Sequence, residues 1–225
     1  RPRLAGTASV ERRADASGRG GVKASAALAG DAAGIDLTDV AILVGPEDLG
    51  ARFTGKGRAR FGAETLFALD LAARRIDLDG LMGEPVTPER AVRAAVAALA
   101  AGWTEGPVPI EARVAVEAAT MGGATVRDVE IAARARGGVG TLERFAAVVP
   151  GAGKVVLSGR FDLADGIGFT GRGEASSEDP ALTFAWARNG AVVGEALPPV
   201  AVSGRFALAA GELRGDEMEI AIGAT

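Results

Sequence analysis

The chain has 225 residues, a formal net charge of −4 and neither His nor Cys. These absences exclude disulfides and thiolate metal sites, together with most nucleophilic triads and all His-metal sites. The three Lys residues are scattered and aromatic residues make up only 4% of the chain, so no basic, aromatic-lined stripe is present and no nucleic-acid partner is predicted.

A short pattern occurs three times at a fixed spacing. It consists of an acid, an aliphatic residue, any residue and Ile, and it ends at Ile42, Ile131 and Ile220, which are 89 residues apart in each step. Chance matches are the alternative in a chain this rich in aliphatic residues. We interpret the pattern as one recurring supersecondary unit that packs against its neighbours to bury its apolar side. The predicted organisation is a leading strand or disordered start at 1–20, unit 1 at 20–105, unit 2 at 106–190 and a truncated unit 3 at 198–225.

Unit 1 predicts a hairpin, a second pair of strands and a helix. The hairpin turns around residues 32–34, and the second pair covers residues 50–61 and 64–77. Thr87 before Pro88 is typical of a helix start, because the hydroxyl can accept a hydrogen bond from the first turn and Pro lacks the N–H that would be unpaired there. We predict a helix over about 88–101.

Unit 2 predicts the same succession. In Val108 to Ala118 every second residue is apolar, which is typical of a strand with one buried face. Gly122-Gly123 then predicts a turn into a second strand at 125–135. The second pair is predicted at 154–163 and 166–175.

Unit 2 contains two further segments, a short helix and an insertion. Asp179-Pro180 repeats the helix-start signal, so a short helix is predicted at about 180–188. An insertion with glycine edges, residues 137–151, follows the hairpin; a strand or short helix is favoured there over a functional lid. Alternation from Val200 predicts a third hairpin, turning around 209–211, so that four strands per complete unit is the simplest count.

These elements predict a mainly β fold with two short helices. Repeated antiparallel hairpins would form a curved, elongated sheet, as an open groove or a β-roll. One short helix per unit leaves much of the apolar face uncovered. From the residues alone, closure of the sheet on itself is favoured over an open groove that accepts acyl chains.

Carboxylates are the remaining candidates for catalysis. Asp36, Asp39, Asp77, Asp79 and Glu84 alternate with aliphatic residues, which fits the solvent face of half-buried strands better than an active site. A carbohydrate-active protein would need two carboxylates about 5–9.5 Å apart. Gly151-Ala152-Gly153-Lys154 lacks the first glycine and the final Ser or Thr of a phosphate loop. We therefore predict no enzyme activity, no cofactor and no metal.

The stretch from Leu69 to Leu81 resembles the AsmA family of Gram-negative bacteria. It ends in Arg75-Ile76-Asp77-Leu78-Asp79-Gly80-Leu81, similar to the family phrase of Arg, aliphatic, Asp, Leu, Asp, any residue and Leu. Residues 149–163, 168–180 and 202–222 resemble the turns and strands that follow in the family. In unit 2, Ser177-Glu178-Asp179-Pro180 replaces the Asp-Leu-Asp form.

The resemblance implies a non-enzymatic periplasmic protein in which a hydrophobic β-groove binds or conducts phospholipid, or supports outer-membrane assembly. It implies an inner-membrane anchor through an N-terminal helix missing from this chain, which begins without Met and which we expect to be a fragment. Phospholipid or another acyl lipid is the expected partner, and the protein partner stays open. The alternative is a scaffold that binds a protein through a sheet edge. The predicted groove residues are Val40, Ile42, Val114, Val116, Val129, Ile131, Val155, Leu157, Phe161, Ile167, Phe169, Val202, Phe206, Met218 and Ile220.

Overall fold

The computed structural model describes residues 3–12, 21–47, 50–62, 65–91, 108–162, 168–188, 196–209 and 212–223. The described strands are β1 (Leu4–Arg12), β2 (Val22–Asp31), β3 (Gly34–Val44), β4 (Ala51–Arg60), β5 (Leu66–Asp77), β6 (Ile110–Met121), β7 (Ala124–Arg136), β8 (Val139–Val149), β9 (Gly153–Asp162), β10 (Gly168–Ser177), β11 (Val200–Ala209) and β12 (Glu212–Ile222). The helices are α1 (Leu78–Met82) and α2 (Pro180–Ala187). Residues 88–91 are also helical.

All twelve strands form a single sheet in sequence order, from β1 at one edge to β12 at the other. Neighbouring strands are antiparallel except for β5 and β6, which are parallel. The sheet is curved and does not close on itself. The prediction of a mainly β protein with a curved, elongated sheet is therefore confirmed, and of its two forms the structure has the open one.

The number of strands in residues 106–190 was predicted wrongly. This segment contains five strands rather than four, because the insertion at 137–151 forms β8 between β7 and β9. Because β5 and β6 are parallel, the hairpin β6–β7 runs in the opposite direction to the hairpin β2–β3. The additional strand β8 returns the hairpin β11–β12 to the direction of β2–β3. The 89-residue spacing therefore does not correspond to a repeated strand direction.

The predicted helix starts are present. The Thr87 hydroxyl accepts a hydrogen bond from Arg90 N at 3.3 Å, and Ala91 N donates to Thr87 O at 2.9 Å. Asp179 caps α2 by accepting from Leu182 N at 3.0 Å. The rest of the first predicted helix, residues 92–101, lies outside the described residues.

The register gives the sheet two chemically different faces. Directly opposed residues of neighbouring strands lie on the same face, so cross-strand pairs trace each face from strand to strand. The face that contains Val40 is lined by aliphatic residues, Phe and Gly, and we call it the apolar face. The opposite face is lined by cross-strand ion pairs such as Arg58 with Asp36 at 2.6 Å and Arg144 with Glu130 at 2.9 Å, and we call it the polar face.

The repeated acid of the sequence pattern marks a repeated β-bulge. Asp39, Asp128 and Glu217 have φ values of 51°, 51° and 50°, in the left-handed region that few side chains adopt. Each lies where the pairing register of β3, β7 or β12 shifts by one residue. An extra residue at this point changes the alternation of side chains, so the apolar residues before and after the bulge share one face.

The core lies at one end of the sheet. Ala51, Ala73, Ile76, Val116 and Ala119 form a buried cluster against which Leu78 and Leu81 of the α1 segment pack. A second cluster of Val126, Ala147 and Val149 packs against Trp186 of α2. We call this the helix end; elsewhere, the described helices leave the apolar face uncovered.

The bulge gives the first testable prediction. Asp128→Val should lower the free energy of unfolding by about 1.5 kcal/mol, because a β-branched residue is strained at positive φ. Asp128→Gly should change it by less than about 0.5 kcal/mol, as should the control Thr125→Val at an exposed position of β7 with ordinary backbone. Urea denaturation measures all three, and equal effects of the two valine variants would contradict the role of the bulge.

Candidate functional site

The apolar face consists of rows of side chains that cross the sheet from edge to edge. In the first row every directly opposed residue, from β1 to β12, is aliphatic, Phe or Gly. In order, it contains Leu4, Gly30, Ile35, Ala59, Phe67, Ile110, Ala135, Gly140, Phe161, Phe169, Leu208 and Leu213. This row lies at the end of the sheet opposite the helix end.

The second row also crosses all twelve strands without a polar side chain. It contains Gly6, Leu28, Leu37, Gly57, Leu69, Ala112, Ala133, Leu142, Gly159, Gly171, Phe206 and Gly215. A third row begins at Val40 in β3 and continues through Gly55, Leu71, Val114, Ile131, Phe145, Leu157, Gly173 and Gly204. The three rows therefore form one continuous apolar floor.

The register brings the predicted groove residues together on this floor. Val40, Val114, Ile131 and Leu157 are in the third row, Phe161 and Phe169 are in the first and Phe206 is in the second. Closer to the helix end, direct pairs join Val116 to Val129, Val155 to Ala175, and Val202 to Ile220. Ile42 pairs with Phe53, and Met218 lies over Gly204. Ile167 lies outside the described residues.

The apolar face is screened from water more than the polar face, although no described helix covers it away from the helix end. Alanine makes the comparison direct because its side chain has one size. Ala133 and Ala135 on the apolar face are 7% and 3% exposed, whereas Ala72 and Ala115 on the polar face are exposed. The larger side chains of the first and second rows are mostly half-buried, so an apolar molecule could still reach them.

Glycines and phenylalanines shape the floor between β8 and β11. The Phe169 and Phe206 rings stack with centroids 5.2 Å apart. Phe169 also lies over Gly159 and Gly171, where an added Cβ would be 2.8 and 2.7 Å from the ring. The rings thus lie over backbone that has no side chain of its own, which makes this part of the floor flat and aromatic.

Asp79 fixes the connection between β5 and β6. Its carboxylate accepts hydrogen bonds from Val86 N at 2.7 Å, Gly122 N at 2.9 Å and Gly123 N at 2.8 Å. Gly122 and Gly123 have φ values of 64° and 72°, so the turn between β6 and β7 requires glycine and directs both N–H groups to one acceptor. Asp79 therefore holds this turn against the segment that follows α1.

Two opposing effects set the pKa of Asp79. Burial raises the pKa, but the hydrogen bonds from the backbone of Gly123, Val86 and Gly122 lower it, and the net result lies below the ordinary value of 3.8. The carboxylate is consequently charged at neutral pH and acts only as an acceptor. Neighbouring Asp77 caps α1 by accepting from Gly80 N at 2.9 Å.

The second helix is joined to the same region by different groups. Trp186 Nε1 donates to Met121 O at 2.8 Å, next to the Gly122-Gly123 turn. Thr183 Oγ1 donates to Pro150 O at 2.7 Å and Ser177 Oγ donates to Gly151 O at 3.1 Å, which attaches α2 to the turn between β8 and β9. The segments that follow β5 and β10 thus both hold hairpin turns, although only the segment after β5 contains the Asp-Leu-Asp sequence.

The other carboxylates considered for catalysis have structural roles. Glu84 pairs with Arg90 at 2.7 Å, and Asp39 is the bulge residue of β3. A shallow depression of about 720 Å³ on the polar face contains three acids. Each is paired with a cation: Asp36 with Arg58, Asp70 with Lys56, and Glu111 with Arg134. Across the described ranges, no group of three or more acids could hold a metal ion.

A comparison of the chain with known protein families, curated proteins and solved structures finds no match. The similarity to the AsmA family therefore depends on the motifs quoted above. Within the described part of the chain, no helix has the length and apolar character needed to cross a membrane.

Three features of this site were missed by sequence reasoning. The bulges could have been found, because the apolar spacing changes from Leu37 to Val40 and from Val126 to Val129, which breaks strict alternation. The role of Asp79 depends on a turn 43 residues away and has no local signal. The parallel pairing of β5 with β6 has none either, since alternation does not define strand direction.

The three hydrogen bonds that the Asp79 carboxylate accepts are tested by Asp79→Ala. This variant should lose about 2 kcal/mol of stability, because it leaves three backbone donors to water or unpaired. Asp70→Asn, at an exposed ion pair of the polar face, should lose less than about 0.5 kcal/mol. Urea denaturation near neutral pH measures the free energy of unfolding of both variants, and similar losses would contradict the role given to these hydrogen bonds.

The lowered pKa predicts how the Asp79 effect depends on pH. A carboxyl with a lower pKa in the folded state stabilises the fold above its unfolded pKa, and this contribution is lost as the pH falls through the folded value. The stability difference between the wild type and Asp79→Asn should therefore be constant near neutral pH and should shrink below about pH 4. A difference that grows on acidification would contradict this assignment.

The flat floor is tested by Gly171→Ala. An added Cβ would meet Ser158 O of the neighbouring strand and would lie 2.7 Å from the Phe169 ring, so we expect a loss of about 2 kcal/mol in the free energy of unfolding. Gly168→Ala in the same strand should be nearly neutral, because its nearest neighbours would be at 3.5 and 3.6 Å. Equal effects in thermal unfolding would contradict this reading of the floor.

Proposed function

We propose that this chain is a segment of an AsmA-like protein whose apolar face binds acyl lipid, and along which phospholipid passes between membranes. The observation that carries the proposal is the set of apolar rows that cross the sheet without a polar interruption. A monomeric soluble domain rarely leaves so continuous an apolar surface without a covering layer, and the described helices supply none over these rows. Acyl chains would supply that layer.

The dimensions of the face suit an acyl chain. Twelve strands spaced about 4.8 Å apart give a floor about 50 Å wide, and strands of about ten residues make it about 30 Å long. One lipid layer occupies about 15 Å of the bilayer core, so an extended acyl chain fits along either direction. Each methylene transferred from water to this floor contributes about 0.8 kcal/mol.

The proposed mechanism is passive. The acyl chains lie on the rows, where Val114, Ile131 and Leu157 give a surface of nearly uniform chemistry, so that a lipid can move across strands without leaving an apolar contact. The charged headgroup stays in water, because transfer of a charge to such a surface would be costly. The flat aromatic region around Phe169 and Phe206 belongs to the same path. No residue acts as a catalyst in this mechanism.

The cellular location belongs to the same proposal. A lipid path between the inner and outer membranes would lie in the periplasm and would be attached to the inner membrane by a helix outside these 225 residues. A role in outer-membrane assembly would follow from the same lipid binding.

Lipid binding can be tested by native mass spectrometry of the chain produced in a Gram-negative bacterium. Wild-type protein should retain phospholipid under gentle conditions. Leu157→Lys, which places a charge in the third row, should reduce the bound fraction about tenfold or more, because burying an ammonium group costs several kcal/mol. Ser158→Lys is the matched control, since it adds the same charge at the next residue on the exposed polar face.

Circular dichroism should show that both variants keep the β fold. Wild-type protein free of phospholipid would contradict the proposal, as would equal loss of lipid in the two variants.

A further inference from the structure

The two edges of the sheet differ in how they are protected against pairing with another strand. Exposed edges of long strands are templates for strand addition, and proteins usually protect them with charges, prolines or bulges. In β12, five of eleven residues are charged, and Glu217 forms a bulge. This edge therefore has two of the usual protections.

The β1 edge has neither protection over most of its length. From Leu4 to Val10 the strand contains no charged residue and no Pro, and all nine of its residues are exposed. Its nine pairs with β2 run from Leu4 to Arg12 without a register shift, so the strand is regular. Among the described residues, no strand pairs with its outer edge.

We infer that β1 is a homodimer interface, in which β1 of one copy pairs antiparallel with β1 of a second copy around a two-fold axis through Thr7. This interface is inferred for these 225 residues alone and does not require the proposed lipid binding. A two-fold interface requires a surface that is complementary to itself. The sequence meets that requirement from residue 3 to residue 11.

Centring the pair on Thr7 gives matched partners on both faces. On the polar face, Arg3 of each copy lies opposite Glu11 of the other, and the two Thr7 residues oppose each other. Opposite charges and paired threonines are both favourable across strands. On the apolar face, Leu4 opposes Val10, and these are 51% and 69% exposed in the single chain.

The charged partners are available for this pairing. Within the described residues, neither Arg3 nor Glu11 forms an ion pair. Lys23, which lies opposite Glu11 in β2, is 3.9 Å from Glu47. A dimer through β12 would instead place two strands together in which acids outnumber Arg by four to one. Charge therefore selects β1 over β12 as the self-pairing edge.

The axis is perpendicular to the sheet, so both apolar faces point to the same side. The dimer would have a single sheet of 24 strands, twice the twelve described in one chain, with its apolar rows continuous across the junction. A dimer formed by packing two apolar faces together would instead keep Thr7 on opposite outer surfaces. Cross-linking at Thr7 distinguishes the two arrangements.

The test uses the absence of native Cys. In Thr7→Cys, the two sulfur-bearing residues oppose each other with Cα atoms about 5 Å apart, which suits a disulfide. In Ser9→Cys, on the same face of the same strand, they are about 14 Å apart and cannot be bridged. In a glutathione redox buffer, Thr7→Cys should form a disulfide-linked dimer on a non-reducing gel, and Ser9→Cys should stay largely monomeric.

A charge exchange gives an independent readout without cross-linking. Sedimentation velocity should give the wild-type protein about twice the chain mass of 22.6 kDa. Arg3→Glu alone or Glu11→Arg alone should weaken the dimer about tenfold, because each places like charges opposite one another at two sites. The double variant should restore wild-type association.

Ala221→Lys, at an exposed polar-face position of the β12 edge, should leave the dimer unchanged. A monomeric wild type would overturn the inference, as would equal cross-linking of the two Cys variants. A dimer that responds to Ala221→Lys but not to the charge exchange would assign association to the other edge.

Discussion

The structure depends on keeping apolar side chains on one face of a sheet that is twelve strands wide. Side chains alternate strictly along a strand, so a single residue out of phase would move every later apolar residue to the polar face. The bulges at Asp39, Asp128 and Glu217 absorb this phase change within β3, β7 and β12. Because each bulge sits between two apolar segments of its strand, the rows stay continuous where regular pairing would interrupt them.

The helix end explains why the rest of the face can remain open. Asp79 and Trp186 hold the turn between β6 and β7 from two sides, through the N–H groups of Gly122 and Gly123 and through the Met121 carbonyl. The buried clusters beside them anchor the middle strands. The buried clusters thus lie at one end of the strands, and no described helix covers the apolar rows toward the other end. A passive lipid path needs this combination of a fixed floor and an uncovered surface.

Much of the fold could be predicted from local patterns. Alternation in Val108 to Ala118 predicts β6, Gly122-Gly123 predicts the turn, and Thr87-Pro88 and Asp179-Pro180 predict helix starts, because each signal acts over a few residues. The strand count of the second unit failed because glycine edges suit a strand, a short helix and a loop equally well. The uncovered face was expected from four strands and only one short helix per unit. Residue patterns alone favoured a closed sheet, because closure depends on whether distant strands meet, and only the family resemblance predicted an open groove.

Residue spacing and backbone preference are enough to predict the hairpins, the helix starts and the two-faced character of each strand. The folded chain is needed to show that β5 and β6 are parallel, that the sheet does not close and that Asp79 binds a turn 43 residues away. Those features depend on which distant backbone groups pair, and the alternation of apolar and polar residues is the same for either strand direction. The spacing of the 89-residue pattern is visible in the sequence. That the repeated acid forms a β-bulge could be seen only from the pairing of the strands.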